Sequence, residues 1–406
     1  MVLKNQQMHQ LEKITEFYLN SKTSYALLIT GEWGIGKTYY FQNTLKERLG
    51  RIQCDYDPSK NYKPILISLF GKKSIEEVQS EIFLSFYPLF KKKAIKLTLS
   101  TCKSLARGIM NVTKVGDLKD YVSDFNIKAK DYIDFREIVL CFDDLERKSK
   151  NLKLEEIVGF INDLVENNGV KVIIIANESK INNFSDLKEK IVGNTIEFIP
   201  DIQKNYDSLA NRQFEGCLEF VDFLDEHKKY ILENYPLENV RILSFIFTYL
   251  REIYLGFKEE LKSHKAIQEI SHEAIKSIIK FTICIGTEYK LGNISFKDRK
   301  SLDNNPIVWS ILTSLDNYKP PEGKEKNFVE IFIENYYKDQ RFYFFSSIYN
   351  FLTGGAFFDV KELINELKSL YGIKDDKIPP QYELYNSLIF PNVFSLSEVE
   401  YVTKTK

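Results

Sequence analysis

One octapeptide constrains this chain more than any other feature: Gly31-Glu32-Trp33-Gly34-Ile35-Gly36-Lys37-Thr38 fits the pattern GxxxxGK[ST] in full. The run before it, Tyr25 to Thr30 (YALLIT), reads as a short buried strand, and Thr38 to Leu49 after it reads as a helix. A Gly-rich turn with a chance lysine would need neither flank. Glycines at 31, 34 and 36 let the backbone curl so that successive N–H groups face an anion, and a helix N-terminus adds its partial positive charge. In that geometry Lys37 is expected to reach the β and γ phosphates of a nucleotide, and Thr38 to ligate Mg²⁺. The expected nucleotide-binding set is Gly31, Glu32, Trp33, Gly34, Ile35, Gly36, Lys37, Thr38 and the adjoining Tyr39.

The apolar runs around this motif predict the rest of a sheet. Pro64 to Phe70 (PILISLF), Arg136 to Phe142 (REIVLCF), Val170 to Ala176 (VKVIIIA) and Thr195 to Ile199 (TIEFI) are apolar at nearly every position, with helical stretches between them. Strands of this kind belong to a parallel sheet covered on both faces, so the expected class is α/β. Ser74 and Glu77 are spaced as a capping box for the helix after PILISLF. Residues 8 to 20 put Leu11, Ile14 and Phe17 at helical spacing.

The third run ends in two carboxylates. Asp143 at the strand tip is expected to hold Mg²⁺, and Asp144 to orient or deprotonate an attacking water. Asn177, directly after VKVIIIA, falls at the carboxyl edge of the sheet, where ligand-contacting residues of open α/β sheets sit. It is expected either to hold the attacking water or to cap the next turn. Arg147, three residues past the acids, and Arg241, in Asn239-Val240-Arg241, are candidates to stabilise a transferring phosphoryl group; surface ion pairing is the other reading of both. Lys190, just before the last strand, is a weaker candidate.

Past about Asp201 the strands stop, and stripes such as Phe220, Phe223, Leu224 and Leu243, Phe245, Ile246, Leu250 predict helices. The expected division is a nucleotide-binding domain over 1–200, a helical lid over 201–270 and a mainly helical sensor or partner domain over 271–406. Polar breaks at Lys319 to Lys326 and Lys374 to Pro380 mark loops, the second following a helix capped by Asp359. Aromatic clusters at Arg341 to Phe345 and Phe351 to Phe358 read as core.

Composition removes other classes. With 56 basic and 57 acidic residues, no global field draws the chain to nucleic acid. The 5 cysteines are scattered without a CxxC pair, and the 4 histidines show no ligand spacing, so reduced thiols and no zinc site are expected. MVLKNQQMHQLEK lacks the apolar stretch of a signal peptide, and no 18 apolar residues run together, which predicts a cytoplasmic protein without an integral membrane segment. The basic stretch at 91–100 reads as a solvated helix face. The final twelve residues carry no helix stop, an ending expected of a shortened member of a longer type.

Taken together, GEWGIGKT, PheAspAspLeuGluArg and the AsnValArg at 239 to 241 resemble the KAP-type P-loop NTPases, relatives of the AAA+ and STAND proteins, over about residues 8 to 260. The resemblance implies ATP as the nucleotide and a Mg²⁺-dependent ATPase acting as a regulatory switch, in bacterial signalling or defence against phage. It implies a protein partner or separate effector, with self-association a further option. The chain departs from the family in lacking transmembrane helices between the two motifs, and in carrying Lys190 where AAA+ relatives have an arginine finger. Two other readings stand beside the switch: a nucleotide-stabilised protein-binding scaffold with little turnover, and an AAA+-like nucleic-acid motor or loader, which the balanced charge disfavours.

Overall fold

A computed structural model of the protein describes residues 2–86, 135–182, 184–303, 328–337, 342–354 and 356–378. The basic stretch at 91–100, the break at 319–326 and the final twelve residues lie outside the described residues. The chain divides into two compact units, Met1–Ile202 and Gln203–Lys406.

The first unit contains the α/β sheet. Its elements are α1 (Val2–Asn20), β1 (Ala26–Thr30), α2 (Lys37–Tyr40), α3 (Lys46–Leu49), β2 (Lys63–Ser68), α4 (Ile75–Phe86), β3 (Ile138–Asp143), α5 (Leu154–Glu166), β4 (Lys171–Ala176), α6 (Phe184–Ile191) and β5 (Val192–Glu197). Between α2 and α3 the helix widens into a π turn over Phe41–Leu45, so the expected single helix is one run with a local change of winding. The strands pair in the order β2-β3-β4-β1-β5, all parallel.

Burial of both faces follows from the period of two along each strand. Leu28, Leu140, Phe142, Val172 and Ile174 face a core shared with α4, α5 and α6, while Leu27, Ile29, Val139, Cys141, Ile173 and Ile175 face one shared with α1 to α3. At about 1.5–3 kcal/mol for each large apolar side chain removed from water, these two layers are the main stabilising term of the unit.

Three local expectations need correction. The last strand begins at Val192 rather than Thr195, because the register shifts beside Ala26 and Gly193 is taken up as an extra residue against which the Tyr25 ring lies. A polar, glycine-containing start is invisible to a search for apolar runs. In α1 the buried stripe runs through Leu11, Thr15, Tyr18 and Leu19, leaving Phe17 exposed. Tyr18 takes the inner position because its hydroxyl donates to Val172 O and accepts from Val172 N, both at 2.9 Å. The capping box is displaced: Glu77 Oε2 accepts from Lys73 N at 3.0 Å rather than from Ser74 N, and Ser74 Oγ is buried with no partner among the described residues.

The second unit is helical. Helices Val240–Leu261 and Ser271–Leu291 pack on each other, and Ser346–Gly354 and Val360–Leu370 pack with them. The boundary expected at residue 270 falls inside this compact unit, where the helices on its two sides pack together. Phe342, Phe344 and Phe345 are buried around Phe281, as their clustering predicts. Phe357 is not core: it is fully exposed, while its neighbour Phe358 turns the other way onto Phe351 and Gly256. Asp359 caps helix Val360–Leu370, its Oδ1 accepting from Lys361 N and Glu362 N.

Beside that cap lies a carboxyl that makes stability depend on pH. Glu366 accepts from Ser347 N at 3.1 Å and Ser347 Oγ at 2.5 Å, at the start of helix Ser346–Gly354. Burial outweighs these bonds and pushes its pKa from 4.5 up to about 7. A carboxyl raised in the folded state stabilises fully below its unfolded value, and that contribution is lost as pH climbs from about 4.5 through about 7. Melting of the full chain is therefore expected to fall by a few degrees more between pH 5 and pH 8 in wild type than in Glu366→Gln. Parallel pH profiles for the two proteins would contradict this.

Candidate functional site

Strand register brings the expected site residues to one edge. Ser68 pairs with Asp143, Asp143 with Ile175, and Ala176 with Thr30, so the carboxyl ends of β2, β3, β4 and β1 lie side by side. The loop leaves β1 there, with Gly31 N donating to Ala176 O at 3.2 Å. Gly34 and Gly36 have φ of 79° and 97°, a left-handed backbone that side chains oppose. At Gly31 a Cβ would come 2.7 Å from Ile35 Cδ1 and 3.3 Å from Phe198 O. The three glycines are thus required by the curl itself. The loop delivers the chain into α2, whose first amides have no intrahelical carbonyl to meet.

Thr38 and Asp143 meet. Thr38 Oγ1 donates to Asp143 Oδ2 at 2.7 Å, across the end of β4. Asp143 is buried, and desolvation lifts its carboxyl to about 6 in spite of the Thr38 bond. Lys37 Nζ donates to Gly31 O at 2.6 Å and Glu32 O at 2.8 Å. Burial lowers its pKa, opposed by Glu146, Asp143, Glu32 and Asp144.

Asp144 lies in different surroundings from Asp143. It has φ 59° and ψ 37°, and its side chain keeps 25% of its surface exposed. Ser68 Oγ donates to its Oδ2 at 3.4 Å, and Arg147 Nη1 lies 3.4 Å from its Oδ1. The Arg147 guanidinium also covers the Phe70 ring at 4.5 Å. The two adjacent carboxylates thus differ in environment, Asp143 being buried and Asp144 partly exposed.

Asn177 is buried at the tip of β4, where its Nδ2 donates to Glu32 Oε2 at 3.0 Å and its Oδ1 accepts from Ser179 Oγ at 2.7 Å. It makes no side-chain cap to the following turn. Its carboxamide instead ties β4 to the glycine loop. Trp33 Nε1 donates to Glu146 Oε1 at 2.5 Å, and Lys180 Nζ lies 5.9 Å from the Trp33 ring centre. Tyr39 is exposed on α2, its carbonyl accepting from Asn43 Nδ2 at 2.8 Å.

Among the expected residues of the first unit, Lys190 is not gathered at this edge. Arg241 belongs to the second unit, exposed in the first turn of helix Val240–Leu261, where its amide donates to Asn239 Oδ1 at 3.0 Å. Lys190 ends α6 just before β5, and β5 starts beside Ala26, at the amino edge of the sheet. A strand length of about 16 Å separates that edge from the phosphate loop of the same chain.

Ser68, Glu146 and Lys180 join the site unforeseen. Ser68 ends β2 and was readable only as the lone hydroxyl residue in PILISLF. Glu146 sits inside the acid motif itself, between the carboxylate pair and Arg147. Lys180 had no signal of its own.

No helix among the described residues is long and apolar enough to cross a membrane. Comparison with models of known protein families gives no match, and no curated protein matches the chain.

Proposed function

We propose that the first unit binds ATP with Mg²⁺ and hydrolyses it to ADP and phosphate, and that the protein works as a nucleotide-driven switch. The observation that carries this reading is the Thr38 to Asp143 hydrogen bond of 2.7 Å, which joins the end of the phosphate loop to the acid strand tip. Those two oxygen groups are what a magnesium ion beside a nucleotide takes from such a loop and strand. Among the described residues no three His, Cys, Asp or Glu groups gather as a closed metal site. Thr38 and Asp143 would hold such an ion, and Mg²⁺ commonly keeps water and phosphate oxygens as its other ligands.

The glycine curl and the close approach at Gly31 fit a polyanion seated against backbone amides. Lys37 would exchange its two loop carbonyls for phosphate oxygens. Bound Mg²⁺ supplies the positive charge that draws electrons from the terminal phosphoryl group. Asp144, partly exposed at the strand end, orients water and accepts its proton, while Arg147 and Ser68 fix the carboxylate. Asn177 links this edge to Glu32, so a change at the loop is felt at β4. The resemblance to KAP-type NTPases, which rests on the quoted motifs, supports adenine as the base and a signalling or defence role with a protein effector.

The test is phosphate release from ATP by the purified full chain, with and without Mg²⁺, alongside identification of any nucleotide carried through purification. Turnover that needs Mg²⁺ and falls at least a hundredfold in Thr38→Ala supports the reading. Tightly held nucleotide with no turnover would replace the enzyme by the scaffold, and no binding at all would remove both.

A further inference from the structure

Four carboxylates, Glu146, Asp143, Glu32 and Asp144, act on the single ammonium of Lys37, and of these Glu146 acts most strongly. A nucleotide polyphosphate entering this field brings several further negative charges. Three of the four acids have somewhere to place theirs. Asp143 would face the metal ion, Asp144 lies 3.4 Å from Arg147, and Glu32 accepts from the Asn177 carboxamide.

Glu146 differs from them. Its Oε1 accepts from a neutral donor, the Trp33 indole N–H, and its Oε2 is buried with no hydrogen-bond donor among the described residues. It forms no ion pair among them. A buried carboxylate oxygen without a donor is unfavourable in a dry site and most exposed to repulsion from a new anion. The indole that holds Glu146 belongs to the phosphate loop itself, and Trp33 is 43% exposed, so it has room to turn. Lys180, 5.9 Å from the ring centre, offers the indole a cationic neighbour beyond the acid motif.

We propose that Trp33 and Glu146 form an electrostatic latch, closed by their hydrogen bond in the nucleotide-free protein and opened when a bound nucleotide polyphosphate repels the Glu146 carboxylate. Glu146 is thus a positioning residue that sets nucleotide affinity and couples occupancy to the acid turn. The latch rests on the nucleotide reading of the site and goes beyond it by assigning the residue that senses the charge.

The chain has 2 tryptophans, so Trp309→Phe leaves Trp33 as the sole indole emitter. In that background, Trp33 emission and calorimetric binding are followed with Mg²⁺ and adenylyl imidodiphosphate. Glu146→Gln keeps an acceptor for the indole and removes the charge, and it is expected to bind the analogue about tenfold more tightly than its parent. Saturating analogue is expected to shift Trp33 emission in the parent. Glu146→Ala, which has no acceptor, is expected to show emission near the bound value before any analogue is added. Circular dichroism melting within a few degrees of the parent shows that the variants are folded. Binding by parent and Glu146→Gln with equal Kd, and Trp33 emission unmoved at saturation, overturns the latch and leaves nucleotide binding standing. No heat with any protein, all folded, overturns the nucleotide reading and the latch with it.

Discussion

Replacing Asp144 by asparagine is expected to lower ATP turnover about a thousandfold while leaving the Kd for the Mg²⁺-bound nucleotide within about threefold of wild type. The substitution is well isolated. Asp144 holds a left-handed backbone at φ 59° and ψ 37°, a conformation asparagine accepts as readily as aspartate. The Ser68 hydroxyl can still donate to the amide oxygen, so the turn after β3 keeps its shape. What disappears is a group able to take a proton from water. Asp143→Asn is expected to fail in the other direction: Thr38 keeps a neighbour, but the buried anion that draws Mg²⁺ is gone and metal-dependent binding weakens. Single-turnover phosphate release and calorimetry on both variants separate the two roles. Asp144→Asn turning over within tenfold of wild type would take proton acceptance away from that residue.

The parts of this site that were legible in the sequence are those where backbone chemistry restricts residue type. Left-handed φ at Gly34 and Gly36 and the crowding at Gly31 leave few alternatives to glycine, so the loop is readable as letters. Apolar strands buried on both faces are similarly plain, because nearly every position must avoid water. The order of the strands was not readable: that β4 separates β1 from β3 emerges only from pairing, and it decides that Asn177 falls between Glu32 and the acids. Side-chain partnerships across long sequence intervals were hidden for the same reason. Trp33 and Glu146 lie 113 positions apart, and nothing in either residue's neighbourhood announces the other. Phe17 and Phe357 show the converse failure, since apolar identity at helical or clustered spacing does not say which of several neighbours turns inward.

The largest combined effect is expected at Lys37. Its ammonium donates to Gly31 O and Glu32 O and is a half-buried cation on which four carboxylates act, so it organises the loop. Lys37→Ala should therefore do two things at once. It removes the charge proposed to meet the β and γ phosphates, and the Kd for nucleotide is expected to rise at least a hundredfold, with turnover lost from measurement. It also leaves two loop carbonyls without their donor and the acids without their countercharge, which is expected to destabilise the nucleotide-free protein by about 2 kcal/mol. Lys37→Arg distinguishes these effects. A guanidinium restores positive charge and donors but not a compact ammonium at the end of a flexible stem. Arginine is expected to recover most of the lost stability while turnover stays absent, because neutralising the acids tolerates displaced charge and meeting phosphate oxygens inside a tight loop does not. Denaturant unfolding and phosphate release measured on the three proteins decide it. Turnover at the wild-type rate in Lys37→Ala would mean that the loop is a structural turn and that nucleotide chemistry has to be sought elsewhere in the chain.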